Sequence, residues 1–294
     1  MSLFRGAGVA LVTPFTEEKD LNYEELGRLI EYQIAGGSDA IIVCGTTGEP
    51  VTMTEKERLS VISYAVAKVA GRVPVIAGSG GNCTENVVAF SKKAELAGAD
   101  GLLVVTPYYN KATQNGLYEH YKAVAGVVDI PIILYNVPSR TGVNLRPDTV
   151  ARLGKEIEHI VALKEASGNM AQVAEVIERS EGKLDVYSGN DDQIVPILSL
   201  GGIGVISVLA NIVPNVTHTM VMDYLNGNME YAARLQLRYL ELIQALFCEV
   251  NPIPVKKALE LLGFSTKTLR LPLTEMEEKN AILLEKAMNR VGLL

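Results

Sequence analysis

Apolar and polar positions follow one recurring unit along the chain: a short apolar run, a turn containing Gly, Pro, Ser, Thr or Asn, then an amphipathic stretch. The apolar runs occupy residues 8–14, 39–45, 73–78, 101–107, 130–138, 160–166, 184–189 and 204–210. They are of strand length and rich in Val and Ile. Helical patterns lie between them, at 23–36, 54–70, 84–97, 114–127 and 169–180. The unit recurs every 20–35 residues or so, roughly the spacing of β/α repeats. Strands that are apolar on both faces predict a parallel sheet covered on its outside. Eight of them predict an α/β fold of the closed (β/α)8 TIM-barrel type. The competing open, doubly wound sheet asks for a glycine-rich phosphate turn after the first strand, where this chain has Thr13-Pro14-Phe15.

After the eighth apolar run the pattern changes. Only helical periodicity remains, for example at 231–250 and 274–291. Residues 1–225 therefore read as the (β/α)8 barrel and 226–294 as a C-terminal helical domain, with Asn226-Gly227-Asn228 as the boundary turn.

Composition narrows the picture. The 294 residues suit one barrel of ~250 residues with a modest extension. A hydrophobic fraction of 48% allows a large core. The net charge of −7 repels phosphate backbones, which argues against nucleic acid as a partner. Cys44, Cys83 and Cys248 are far apart and form no CxxC pair, which fits a reducing compartment better than a disulfide framework or a zinc site. The N-terminal residues lack a secretory apolar core and cleavage site. No segment reaches the ~18 apolar residues of a membrane helix. A cytoplasmic protein is expected.

Chemistry in such a barrel belongs at the C-terminal ends of the strands. Those ends carry Gly45-Thr46-Thr47-Gly48-Glu49, Thr106-Pro107-Tyr108-Tyr109-Asn110, Tyr135-Asn136-Val137-Pro138-Ser139-Arg140, Lys164-Glu165-Ala166-Ser167 and Ser188-Gly189-Asn190-Asp191. Lys164 closes an otherwise apolar strand. Side-chain alternation puts it on one face with Ala162 and Ala166 and turns Glu165 the other way. A desolvated lysine has a lowered pKa, and its neutral amine can attack a ketone to form an imine. The plainer alternative is a lysine that snorkels to the rim and pairs with a carboxylate. Tyr135 ends the preceding strand, where a phenol can move protons or simply fill the barrel. Thr46 and Thr47 lie in a glycine-bracketed turn suited to a carboxylate. Helix capping, the competing role, explains Thr54 better than Thr46. Arg140 can grip a carboxylate from its loop or be a surface charge. Lys256 and Lys257 are further amine candidates at the head of a helical stretch, where at least one should be solvated.

Other constellations are missing from the sequence. His120, His159 and His218 are scattered, with no HExxH pattern, so no metal site is assigned. Gly78-Ser79-Gly80-Gly81 is neither GxGxxG nor a P-loop. Cys44, between Val43 and Gly45, reads as a packing residue.

Taken together these motifs resemble the dihydrodipicolinate synthase family, within the pyruvate-dependent class I aldolases that include N-acetylneuraminate lyase. The likeness spans the chain. It rests on the turns at Gly45-Thr46-Thr47-Gly48-Glu49, Tyr108-Tyr109, Tyr135 to Gly142 and Lys164-Glu165-Ala166-Ser167-Gly168, and on the late Asn251-Pro252-Ile253-Pro254-Val255-Lys256. The resemblance implies that Lys164 is the Schiff-base lysine. It implies a proton relay of Thr46, Tyr135 and Tyr109, with Tyr109 serving the neighbouring subunit's site. Thr47 would bind the pyruvate carboxylate and Arg140 the carboxylate of aspartate semialdehyde. Gly189 and Ile206 match strand-end positions whose backbone carbonyls face the site. A homotetramer built as a dimer of dimers is implied, and no cofactor beyond the covalent Schiff base with pyruvate. A sister aldolase taking another aldehyde is the nearest alternative, and Arg140 argues against it. A catalytically silent regulatory barrel is the other, and the joint presence of Lys164, Tyr135, Tyr109 and Thr46 argues against that.

The family's lysine-inhibited members bind the effector at the tight-dimer interface. Asn82 and Tyr108 match that pattern. Glu55 and Arg58 stand where histidines are frequent, and Asn86 where a glutamate is expected, so weak or absent inhibition by L-lysine is expected.

Overall fold

The computed structural model describes residues 2–294. Eight parallel strands close into a barrel in sequence order: β1 (Gly6–Ala10), β2 (Ala40–Val43), β3 (Val75–Gly78), β4 (Gly101–Val105), β5 (Ile132–Asn136), β6 (Ile160–Glu165), β7 (Asp185–Ser188) and β8 (Gly204–Ser207). β8 returns to β1 with Gly8 opposite Ile206. The outer helices of the barrel are α1 (Tyr23–Ala35), α2 (Glu55–Val69), α3 (Thr84–Leu96), α4 (Gln114–Ala125), the short α5 (Pro138–Thr141), α6 (Pro147–Glu156), α7 (Met170–Ser180), α8 (Ile194–Ser199) and α9 (Pro214–Leu225). Four C-terminal helices follow: α10 (Met229–Arg238), α11 (Leu240–Ala245), α12 (Ile253–Leu261) and α13 (Glu278–Val291).

The apolar runs become strands because both faces are covered. Ala40, Ile42, Ile76, Leu103, Ile133, Ala162, Tyr187 and Ile206 form the core inside the barrel. Ile41, Val43, Leu102, Val104, Leu134 and Leu163 join the larger core between strands and helices. The two-residue period of a strand produces this division. The first strand starts earlier than its apolar run, at Gly6, and leaves the barrel after Ala10, so Leu11 to Pro14 lead away as the loop into α1. The helical stretch at 231–250 is interrupted at Tyr239, which ends α10 and precedes α11. Thr54 caps α2 through a capping box with Glu57, as its spacing predicts.

Among the described residues, no helix is long and apolar enough to cross a membrane. All three cysteines are free thiols. The C-terminal helices close over the loops after β1 and β2. Lys256 of α12 is fully buried in an ion pair with Glu49, and the Arg270 side chain reaches the backbone carbonyls of Lys19 and Thr52.

Candidate active site

β6 carries Lys164 into the barrel between two alanines, Ala162 and Ala166, that leave space around a long side chain. Its neighbour Glu165 points outward. There it accepts from the Asn136 and Gln172 side-chain amides and from the Ser167 backbone N–H. That buried network fixes the strand end on which Lys164 sits. Lys164 is 5% exposed. Burial pulls its amine down to about 7, against the attraction of Asp191 and with help from the repulsion of Arg140.

Parallel pairing sets Tyr135 directly opposite Lys164 on the adjoining strand. The lysine Nζ stands 4.5 Å from the centroid of the Tyr135 ring. Burial raises the pKa of the Tyr135 phenol, while the Arg140 charge and the Thr46 side chain oppose the rise. Thr46 and Thr47 share a 3-10 turn, Thr46–Gly48, just past β2. Thr47 is buried, and its Oγ1 accepts a hydrogen bond of 3.0 Å from the Asn251 amide.

A cavity of about 270 Å³ opens at this mouth, walled by Gly45, Thr46, Tyr108, Tyr135, Val137 and Arg140 among others. Lys164 is not part of that wall; Tyr135 is its link to it. Arg140 lies on α5 at the rim and donates a 3.4 Å hydrogen bond to the Asn251 backbone carbonyl. A second cleft of about 430 Å³ flanks the other side of the β6 end, between Ala166, Ser167, Asn190, Asp191 and Phe247. Gly189, just past β7, stacks closely on that strand end. A Cβ at this position would stand 2.6 Å from that of Ala166, so only glycine fits. Ile206, near the C-terminal end of β8, belongs to the core inside the barrel.

Lys164, Tyr135, Thr46, Thr47 and Arg140 thus come together at one end of the barrel. Tyr109 does not join them. It is 85% exposed, with its backbone in the left-handed region at φ 75°. Lys256 is buried but held by Glu49 and the Thr268 carbonyl, and Lys257 is half-buried beside Glu260. An ammonium so engaged is a poor nucleophile. The Cys44 thiol is pushed up to about 12 by burial, in keeping with a packing role.

Sequence reasoning placed two residues here within motifs but gave neither a role. Asp191 is buried and accepts from the Ser207 hydroxyl and the Val208 and Leu209 backbone N–H groups. Asn251 reaches Thr47 from 204 residues away. The only signal for either was a polar residue beside a glycine or proline turn.

Comparison with known proteins agrees with this architecture. The family model described as the dihydrodipicolinate synthetase family matches residues 3–291. A 4-hydroxy-tetrahydrodipicolinate synthase from Lachnoclostridium phytofermentans is 57% identical over 294 residues, all of both chains. One from Caldicellulosiruptor bescii is 58% identical, covering 100% of this chain and 99% of its own. The crystal structure of the Thermotoga maritima dihydrodipicolinate synthase superposes with a TM-score of 0.98 at 44% identity, with both chains fully covered. With matches of this length and identity, the chain belongs to the dihydrodipicolinate synthetase family.

Proposed function

We propose that this protein condenses pyruvate with L-aspartate 4-semialdehyde through a Schiff base on Lys164, giving 4-hydroxy-tetrahydrodipicolinate for lysine and diaminopimelate biosynthesis. The observation that carries the reading is the buried Lys164 amine. Lowered to about 7, it has a substantial neutral fraction at physiological pH and can act as a nucleophile. Names and lengths of the relatives support the same reaction.

The neutral amine adds to C2 of pyruvate, and the resulting carbinolamine loses water to give the protonated imine. A methyl proton then leaves, and its electron pair moves toward the imine nitrogen to form an enamine. The enamine carbon attacks the aldehyde carbon, whose oxygen takes up a proton. The amine of the semialdehyde portion closes on the imine carbon and expels Lys164. The lysine is regenerated, and its nitrogen is the electron sink, so the scheme uses no metal or separate cofactor. Tyr135, opposite Lys164 and in contact with Thr46, is suited to pass protons at the carbinolamine and aldol steps. Thr47 offers a hydroxyl to the pyruvate carboxylate. Arg140, at the rim, offers a guanidinium to the semialdehyde carboxylate. Gly189 and Ile206 are assigned to the site through their backbone carbonyls.

Tyr109 completes the relay only from a second copy of the chain. Its exposure and left-handed backbone suit a residue that serves a partner, within a homotetramer made of two tight dimers. Three free thiols suit the reducing cytoplasm. The test is incubation with pyruvate and borohydride followed by peptide mass analysis, and a coupled turnover assay across a panel of aldehydes. Reduced pyruvate on Lys164 and preference for aspartate semialdehyde are expected. Labelling at Lys256 or Lys257 would remove the assignment.

A further inference from the structure

We infer that Asn251, which none of the assigned site residues includes, is a positioning residue that orients the Thr47 hydroxyl toward the pyruvate carboxylate. The inference rests on the aldolase reading above. A threonine hydroxyl has one proton to give and lone pairs to accept with. The Asn251 Nδ2 donates to Thr47 Oγ1 at 3.0 Å, and among the described residues this is the one side-chain hydrogen bond that Thr47 makes. With an acceptor position filled by the amide, the hydroxyl proton is directed elsewhere and stays available to an anion. Thr47 is 2% exposed and Asn251 6%, so water competes little for either group.

Asn251 is itself firmly held. It lies just before α12, whose Lys256 is locked to Glu49, three residues past Thr46 in the same turn. The Lys256 ammonium also donates to the Thr268 carbonyl, and the Thr266 hydroxyl to the Lys256 carbonyl. Arg270 ties the far end of the turn through the Thr52 carbonyl and Glu57. The C-terminal helices therefore clamp the Thr46-Thr47 turn at several points, and Asn251 is the point that touches a substrate-binding group. Its Oδ1 is buried without a hydrogen-bond partner, so the amide is kept in a place where only one of its ends is used.

Side chain and backbone of Asn251 serve different neighbours, which makes the inference separable from a general structural role. The side chain holds Thr47, while the backbone carbonyl accepts from Arg140. A side-chain substitution should therefore disturb pyruvate and spare the aldehyde. Asn251→Asp is the sharper variant. It keeps the size of the residue but can only accept from Thr47, reversing the hydroxyl. Asn251→Ala removes the contact altogether.

The experiment measures the half-saturation of pyruvate for imine formation by borohydride trapping, KM for both substrates, and Tm. Both variants are made alone and with Thr47→Val. Each single variant should raise the pyruvate half-saturation by about tenfold or more, the scale of a hydrogen bond to a charged group. The KM for aspartate semialdehyde should stay within about twofold for Asn251→Ala, and the effect of that variant should vanish in the Thr47→Val background, as for residues acting through one another. An unchanged pyruvate half-saturation in either variant, equal effects of Asn251→Ala on both substrates, or its additivity with Thr47→Val would overturn the inference. If Asn251→Ala does not fold, the neutral isostere Asn251→Leu takes its place. Absence of any imine in the unsubstituted protein would instead overturn the aldolase reading, and this inference with it.

Discussion

Lys164 and Asp191 are both buried, and burial drives their titrations toward each other, the amine down to about 7 and the carboxyl up, while the attraction between their charged forms resists both shifts. Asp191 makes no ion pair with Lys164 among the described residues; its oxygens accept from Ser207, Val208 and Leu209, and its attraction offsets only part of what burial costs the amine. The fold therefore carries a lysine that it destabilises in the charged form. In the unfolded chain Lys164 titrates at its ordinary 10.5. Below about pH 7 both states are protonated and the cost is at its full size, roughly 5 kcal/mol for a shift of this extent. Between the two values the unfolded state holds more protons, so stability rises with pH and the cost fades toward pH 10.5. Lys164→Met should abolish imine formation and raise Tm at pH 7, with the gain over the parent shrinking as pH approaches 10. Melting curves of both proteins at several pH values check this. A gain that grows with pH would mean that the amine is not buried in the way described.

The Tyr135 ring lies 4.5 Å from the Lys164 amine, and its phenol is kept protonated by burial at neutral pH. Tyr135→Phe should keep the fold, because the ring still fills the barrel. Its rate should fall on the order of 10²-fold or more, the usual size of a general acid–base contribution. Single-turnover and steady-state rates with pyruvate and aspartate semialdehyde give the measurement. Near-normal turnover would leave Tyr135 as packing only.

Much of this site is legible in the sequence because strands carry local rules. The position of Lys164 follows from alternation along 160–166, and the facing core confirms it with Ala162 and Ala166 inside and Leu163 outside. The barrel itself follows from eight apolar runs that need cover on two faces. What local rules cannot give is contact at a distance. Asn251 and Thr47 are brought together only by the return of the C-terminal helices, and of the two lysines at the head of α12 it is Lys256 that is buried, because Glu49 meets it there, while Lys257 stays partly exposed. Short elements are similarly obscure. α8 has six residues with Pro196 near its start, too few for a helical period to emerge. Tyr109 belongs to a different case: it is 85% exposed in the single chain, and the role proposed for it requires a second copy.

Arg140 makes two separable contributions. Its guanidinium sits on the cavity wall, and its charge lowers the pKa of Lys164 beyond what burial does. Arg140→Ala should raise the KM for aspartate semialdehyde more than that for pyruvate, since the aldehyde's carboxylate is the one assigned to the rim. Removing the positive charge should also raise the Lys164 pKa, so the acidic limb of the pH–rate profile for imine formation should move to higher pH. Steady-state constants for both substrates and a pH series of trapping rates test the two effects. Equal changes in both KM values would assign Arg140 to pyruvate or to structure.

A third cavity, of about 260 Å³, adjoins the active-site mouth and shares Tyr108, Val51 and Gly80 with it. Its wall includes Arg58, Asn82, Asn86 and Tyr108 and contains no carboxylate. Arg58 stacks 3.7 Å from the Phe90 ring centroid and donates to the Gly78 carbonyl, so its position is fixed. Glu55 could in principle balance that charge, but it pairs with Lys93 on α3 and is not part of the wall. A ligand with a cationic side chain therefore meets a fixed guanidinium and neutral amides. The missing charge-assisted contact would have contributed roughly 1.5–3 kcal/mol. Inhibition by L-lysine should accordingly be weak or absent at physiological concentrations. An activity titration with L-lysine at saturating and subsaturating pyruvate tests this. Half-inhibition below about a millimolar corresponds to a binding free energy near −4 kcal/mol, more than Asn82 and Tyr108 should supply without a counter-charge. That result would sink the prediction and require a carboxylate, such as Glu85 or one from a partner subunit, to reach the cavity. Asn86→Glu offers the converse check. Restoring an acceptor on this wall should strengthen inhibition by lysine and leave turnover without effector unchanged.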